Sequence, residues 1–238
     1  VIIAFFLAVC PTVGWAATIY VDPSCANNGD GTTTSCAASG GAAGPYTTWD
    51  SVTFSAGNTY AQARGTTFTG TVTIAASGPS TADADRIILS AYGVGANPRI
   101  DATAEQFGIV ISGARSYITI EHFEVYGVSA STGQNRFLVR LCTGAGVECT
   151  GVILTDLQLH DPVDPGGVNE ADGIWGYCAD CTFDDLTIYN IPSDGIWLAN
   201  VGNFTLSHSH IHTVATSGRS TGDCVQLGGS ITSLTVTD

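Results

Sequence analysis

Three aspartates, Asp172, Asp194 and Asp223, recur 22 and 29 residues apart, each heading a short run: Asp172-Gly173-Ile174-Trp175, Asp194-Gly195-Ile196-Trp197-Leu198 and Asp223-Cys224-Val225-Gln226-Leu227. If the runs lie side by side the carboxylates stack, and stacked carboxylates repel unless a cation such as Ca2+ or a shared proton relieves them. Asp172, Asp194 and Asp223 are therefore candidates both for a calcium site and for acid catalysis. The structural alternative is an aspartate before a turn, its carboxylate accepting local backbone N–H groups. Within each run, period-2 alternation puts Ile174, Ile196 and Val225 inward and Trp175, Trp197 and Gln226 outward. Neighbouring strands about 4.8 Å apart then expose Trp175 above Trp197, a platform of the kind sugar rings lie against, unless the loop from Asp161 to Ala171 covers it. The chain has seven arginines and no lysine, so a cationic group acting on substrate must be arginine. Arg140 is expected outward beside Tyr177 of the next strand, on the side of the tryptophans, with Arg219 second, in the loop before Asp223.

Other reactive residues are read more plainly. His208, His210 and His212 alternate along one segment, and with His160 they have the donors of a transition-metal site; the favoured reading is a solvated polar face with His208 at a turn. Cys178 and Cys181 form a CxxC with no second CxxC beside it, which favours structure over zinc. Cys25 with Cys36 and Cys142 with Cys149 would close short loops in an oxidising compartment.

The elements that position these groups emerge when Ile118–Val128, Val152–Pro162, Cys181–Ile191 and Phe204–Val214 are laid under one another. Ile120, Leu154, Phe183 and Leu206 form one buried column, and Val125, Leu159, Ile188 and Ile211 another. Tyr126, His160, Tyr189 and His212 form an outward column. Between the buried columns lie His122, Asp156, Asp185 and His208, polar residues suited to a tight turn. The Asp-headed runs supply a third strand, and Asn135–Leu141 fits the same column one turn earlier. Three short strands per coil of about 22 residues make a solenoid in which each coil packs on its neighbours. The expectation is all-β: a single-stranded right-handed parallel β-helix with an N-terminal cap. Leu234–Val236 begins a further turn, and the uncovered end implies a chain cut before its last rungs.

Composition bounds the rest. A chain of 238 residues with 12% charged residues, 29 glycines and net charge −14 suits one large domain, and such acidity repels nucleic acid. Residues Val1–Val9 are apolar and Gly14-Trp15-Ala16-Ala17 offers a cleavage site, so residues 1–17 read as the remnant of a signal peptide and residues 18–238 as the domain. A secreted or periplasmic monomer with no membrane span is expected.

The segments Ile19-Tyr20-Val21-Asp22-Pro23-Ser24, Asn28-Gly29-Asp30-Gly31, Pro45-Tyr46-Thr47-Thr48-Trp49, Arg64-Gly65-Thr66-Thr67-Phe68, Ile87–Gly93 and Asn97–Asp101 resemble those opening many extracellular β-helix proteins of the pectate lyase-like superfamily. Asn169-Glu170-Ala171-Asp172-Gly173-Ile174 is similar to the first acidic motif of polygalacturonases. The resemblance then fails, because Ser193-Asp194-Gly195 stands where a paired Asp-Asp is expected and the later Gly-His-Gly is missing. It implies a polysaccharide partner and, first, a lyase acting on acidic sugars, with Asp172, Asp194 and Asp223 near a cation that neutralises the uronate carboxylate and Arg140 near substrate as the catalytic base that takes the neighbouring proton. The alternatives are an inverting glycoside hydrolase and a non-catalytic glycan-binding β-helix.

Overall fold

The computed structural model describes residues 16–129, 134–142, 146–164, 170–216, 222–229 and 231–238. The apolar leader and Arg219 lie outside these described residues. A first strand, β1 (Thr18–Val21), and a loop closed by the Cys25–Cys36 disulfide precede the first coil. That coil is β2 (Thr59–Ala63), β3 (Thr67–Thr69) and β4 (Val72–Ile74); the second is β5 (Ile87–Tyr92), β6 (Arg99–Asp101) and β7 (Phe107–Ile111). In the third, β8 (Ile118–Tyr126) crosses two faces before β9 (Arg136–Leu141). β10 (Cys149–His160) repeats this, and β11 (Ala171–Ile191) bends through all three faces. β12 (Ile196–Ala199), β13 (Asn203–Ser207), β14 (His210–Val214) and β15 (Val225–Gly228) follow, and β16 (Ser233–Thr237) opens another coil. Each strand pairs in parallel with its equivalent one coil away. The fold is a right-handed parallel β-helix with three faces and an N-terminal cap.

Its core is a set of inward columns. On the first face Tyr60, Leu89, Ile120, Leu154, Phe183 and Leu206 stack in register, and on the second Phe68, Ile100, Val125, Leu159, Ile188 and Ile211 do so. On the third, Val72, Ile109, Val139, Ile174, Ile196 and Val225 complete the triangle. Most of these side chains are completely buried, and each contributes about 1.5–3 kcal/mol relative to exposure.

The corner between the first and second faces needs a left-handed residue, since a single residue must turn the strand. His122 (φ 64°), Asp156 (46°), Asp185 (53°) and His208 (44°) provide it, and His and Asp tolerate that region better than most residues. Side chains here also bond between coils: His122 Nδ1 lies 2.7 Å from an Asp156 carboxylate oxygen, and His208 Nδ1 2.6 Å from Asp184. The Asp184 bond, with that carboxylate's charge, raises the His208 pKa above its ordinary 6.5. Bonds from Ser207 and then His208 lower the Asp184 carboxyl. A raised histidine stabilises fully below its unfolded pKa and loses that effect as pH rises through the folded one; a lowered aspartate acts above its unfolded pKa and loses its effect as pH falls. The pair therefore helps most between the ordinary aspartate value, 3.8, and the ordinary histidine value, 6.5. An NMR titration should find His208 above that value and Asp184→Asn should lower it; an unmoved midpoint would refute the pairing.

Connections are distributed unevenly. From the third coil onward the first and second faces meet at one or two residues, whereas residues 127–135, 161–170, 142–148 and 215–224 connect at the two edges of the third face. One such connection is closed by the Cys142–Cys149 disulfide, and Cys178–Cys181 bridges within β11 at the same corner; Cys224 is free and exposed. Among the described residues no helix is long and apolar enough to cross a membrane.

Candidate functional site

Trp175 and Trp197 face each other in register on the third face, their rings 5.3 Å apart and within 7° of parallel. The stack continues downward. Phe137 lies 4.8 Å from Trp175 at 6°, and Phe107 lies 5.8 Å from Phe137 at 17°. Tyr177 stands edge-on to both indoles, at 5.6 and 6.1 Å. Phe107, the two indoles and Tyr177 are partly exposed while Phe137 is buried, so both ends of the ladder are accessible and the tryptophan pair is the wider of them. Gln226 takes the next rung after Trp197.

Arg140 is in this outward column, but its partner is Trp175 and not Tyr177. The reason lies on the inner side: Val139 stacks under Ile174, which fixes the register and moves Arg140 back by two residues, one full pleat. Its guanidinium lies 4.6 Å from the centre of the Phe107 ring, a cation–π contact. Burial pulls its pKa down. Its Nε is buried with no hydrogen-bond partner among the described residues. A partly desolvated cation beside an aromatic platform is suited to an incoming carboxylate, which would supply the opposite charge.

The aspartate column is placed behind this surface. Asp172 and Asp194 are buried, at 0% and 3% exposure, whereas Asp223 is exposed. An Asp172 oxygen accepts the backbone N–H of Asp194 at 3.1 Å, and an Asp194 oxygen accepts that of Asp223 at 2.7 Å. Each carboxylate thus caps the next coil, a longer-range version of the local turn expected from the Asp-Gly pairs. Burial pushes the Asp194 carboxyl above its ordinary range; the Asp223 N–H opposes this, and the charges of Glu170 and Asp223 add to it. The three carboxylates do not gather as ligands. Among the described residues the only cluster of three metal-binding side chains is Asp22 with Cys25 and Cys36, whose sulfurs are joined to each other. Buried oxygens already accepting N–H bonds do not fit the six to eight converging oxygens that calcium takes, and no chemical step is assigned to calcium here.

Sequence reasoning missed Phe107, Phe137 and Glu148. Glu148 lies in the 142–149 loop, its carboxylate accepting from the Gly146 N–H at 2.8 Å and the Asn200 side chain at 3.0 Å, bonds that lower its pKa. Asn200 follows Ala199, the partner of Tyr177, so Glu148 stands at the far edge of the platform. Its signal was the cysteine pair that brackets its loop.

The second face carries a separate ladder, Tyr126, His160, Tyr189 and His212, with successive rings 5.6, 4.7 and 5.5 Å apart and within 8° of parallel. His160 is not part of a solvated face: it is 8% exposed, with Asp161 2.7 Å from Nδ1 and Glu124 3.2 Å from Nε2. The flanking tyrosines cover its ring, which its polarity alone did not reveal.

No family model and no curated protein matches the sequence. Solved structures do. The chain is similar to the GH136 lacto-N-biosidase from Eubacterium ramulus (TM-score 0.54, 13% identity, 79% of this chain and 45% of that one). It is also similar to the pectate lyase Pel9A (0.52, 16%, 85% and 55%) and to a rhamnogalacturonan lyase (0.50, 14%, 90% and 62%). The likeness is one of fold. The chain spans between 45% and 62% of these structures, and at such identity the shared property is the parallel β-helix itself.

Proposed function

We propose that this is a secreted polysaccharide-active β-helix protein whose third face binds an acidic glycan, and that its reaction is β-elimination beside a uronate carboxylate. The observation that carries the reading is Arg140, partly desolvated, beside the partly exposed Trp175–Trp197 stack. Sugar rings lie against the indoles, and the guanidinium pairs with the uronate carboxylate. Neutralising that carboxylate acidifies the neighbouring C–H; in the elimination that proton passes to solvent water, its electron pair forms the C=C bond, and the glycosidic C–O bond breaks as the leaving sugar takes up a proton from water. Polysaccharide lyases among the structures of similar fold support the same reading. The buried, N–H-bonded state of Asp172 and Asp194 favours elimination over hydrolysis by that pair, because neither presents a free carboxylate to water.

The test is a panel of acidic polysaccharides, with calcium or with a chelator, followed by ultraviolet absorbance of unsaturated uronate and by reducing ends. Both signals should rise, and Arg140→Gln should reduce the rate about 10- to 100-fold, the loss of one hydrogen bond to a charged group, about 1.5–3 kcal/mol. Reducing ends without absorbance would make the protein a hydrolase. Neither signal, with retention on the glycan, would make it a binding module.

A further inference from the structure

On the outer side of the sixth coil, β14 presents His210 and His212, while Ile211 between them packs against the core. The imidazole centroids are 4.6 Å apart, with the rings tilted by 35°. A metal–nitrogen bond of about 2.0–2.1 Å places each centroid about 3.2 Å from a shared ion, so two rings at roughly a right angle about it have centroids about 4.5 Å apart. The observed separation suits chelation without moving the strand.

His212 is also held as a ligand would be. Its ring lies on Tyr189, 5.5 Å away and within 5° of parallel, and the Tyr189 hydroxyl accepts from Gln158 at 2.8 Å. Its Nδ1 is 2.9 Å from Thr213 Oγ1. Donation from Nδ1 to that oxygen leaves the lone pair on Nε2, the outer-shell arrangement common to metal-binding histidines. Thr213 reaches that position with φ 53°, where the preceding coils have Gly127, Asp161 and Asn190. A β-branched residue there is an outlier, and its hydroxyl serves the histidine. His208 and His160 are differently committed, to Asp184 and to Glu124 with Asp161.

We infer that His210 and His212 form a two-imidazole site for a divalent transition-metal ion, with water filling the remaining positions. Imidazole suits Cu2+, Ni2+ and Zn2+, with Cu2+ bound most tightly, and does not suit the oxygen-seeking Ca2+ or Mg2+. The net charge of −14 raises the local cation concentration. The site lies on a different face from the glycan platform and does not depend on it.

Isothermal titration of the metal-free protein with Cu2+ and with Zn2+ tests this. One ion per chain is expected, Cu2+ tighter than Zn2+. His210→Ala and His212→Ala should each weaken Cu2+ binding at least tenfold with unchanged circular dichroism, while His208→Ala and Cys224→Ser should leave it unaltered. Electron paramagnetic resonance of the Cu2+ form should show two nitrogen ligands. Equal binding by the His210 and His212 variants, or its loss in the Cys224 variant, would overturn the assignment.

Discussion

A protein carrying Trp175→Ala and Trp197→Ala together is expected to bind its polysaccharide about a hundredfold more weakly, or worse. Aromatic anchors at the centre of an interface commonly cost 2 kcal/mol or more when truncated, and 1.4 kcal/mol is a factor of ten. Either single variant should lose about thirtyfold, with the pair falling short of the product because the rings support one another through their 5.3 Å stack. The internal control is Tyr189→Ala. It removes a ring from an equally regular ladder on the second face, so glycan retention should be unchanged. Affinity electrophoresis in polysaccharide gels measures all of these; equal retardation of the wild type and the double variant would remove the platform from the proposal.

A large effect on stability should come from a single methyl group. Gly173→Ala places a Cβ 2.4 Å from the Gly195 carbonyl oxygen and 2.9 Å from a methyl of Ile188. Gly195→Ala meets the Cys224 carbonyl oxygen and an Ile211 methyl, both at 2.6 Å. The obstacle is backbone of the next coil, which cannot rotate aside, so the coils must separate. Overpacking of this kind costs about 3 kcal/mol or more, equivalent to a fall in melting temperature of about 6–12 °C for a domain this size. At Gly40 a Cβ would meet nothing within 4 Å, and Gly40→Ala should melt with the wild type in calorimetry. Coincident melting of all three proteins would show that the inward glycines are not needed for coil spacing.

Those glycines also show where sequence reading succeeds and fails. The inward columns were legible because hydrophobic residues repeat at coil-equivalent positions, and the pairings Val152–Cys181 and Leu206–Phe183 follow that alignment. The left-handed corner was legible for a similar reason: His122, Asp156, Asp185 and His208 put a polar residue at the same position of every repeat, between two buried columns. Asp-Gly was harder. It suggests a turn, yet Asp172 and Gly173 lie inside β11, where glycine is required by the nearness of the next coil and aspartate caps it. Simple alternation also fails at the start of the third face, where Leu138 and Val139 are both buried. Phe137 therefore reaches the aromatic ladder from a position that parity assigns to the interior. Partners 22 to 38 residues away decide such cases, and no short window contains them.

The one-residue corner at Asp185 has an evolutionary consequence. Since each coil contributes one side chain to every column, duplicating a coil of about 22 residues inserts a new row without changing the neighbours above and below it. The third face can thus gain or lose an aromatic rung by recombination within the gene, while the edge connections, outside the ladder, are left free to diverge.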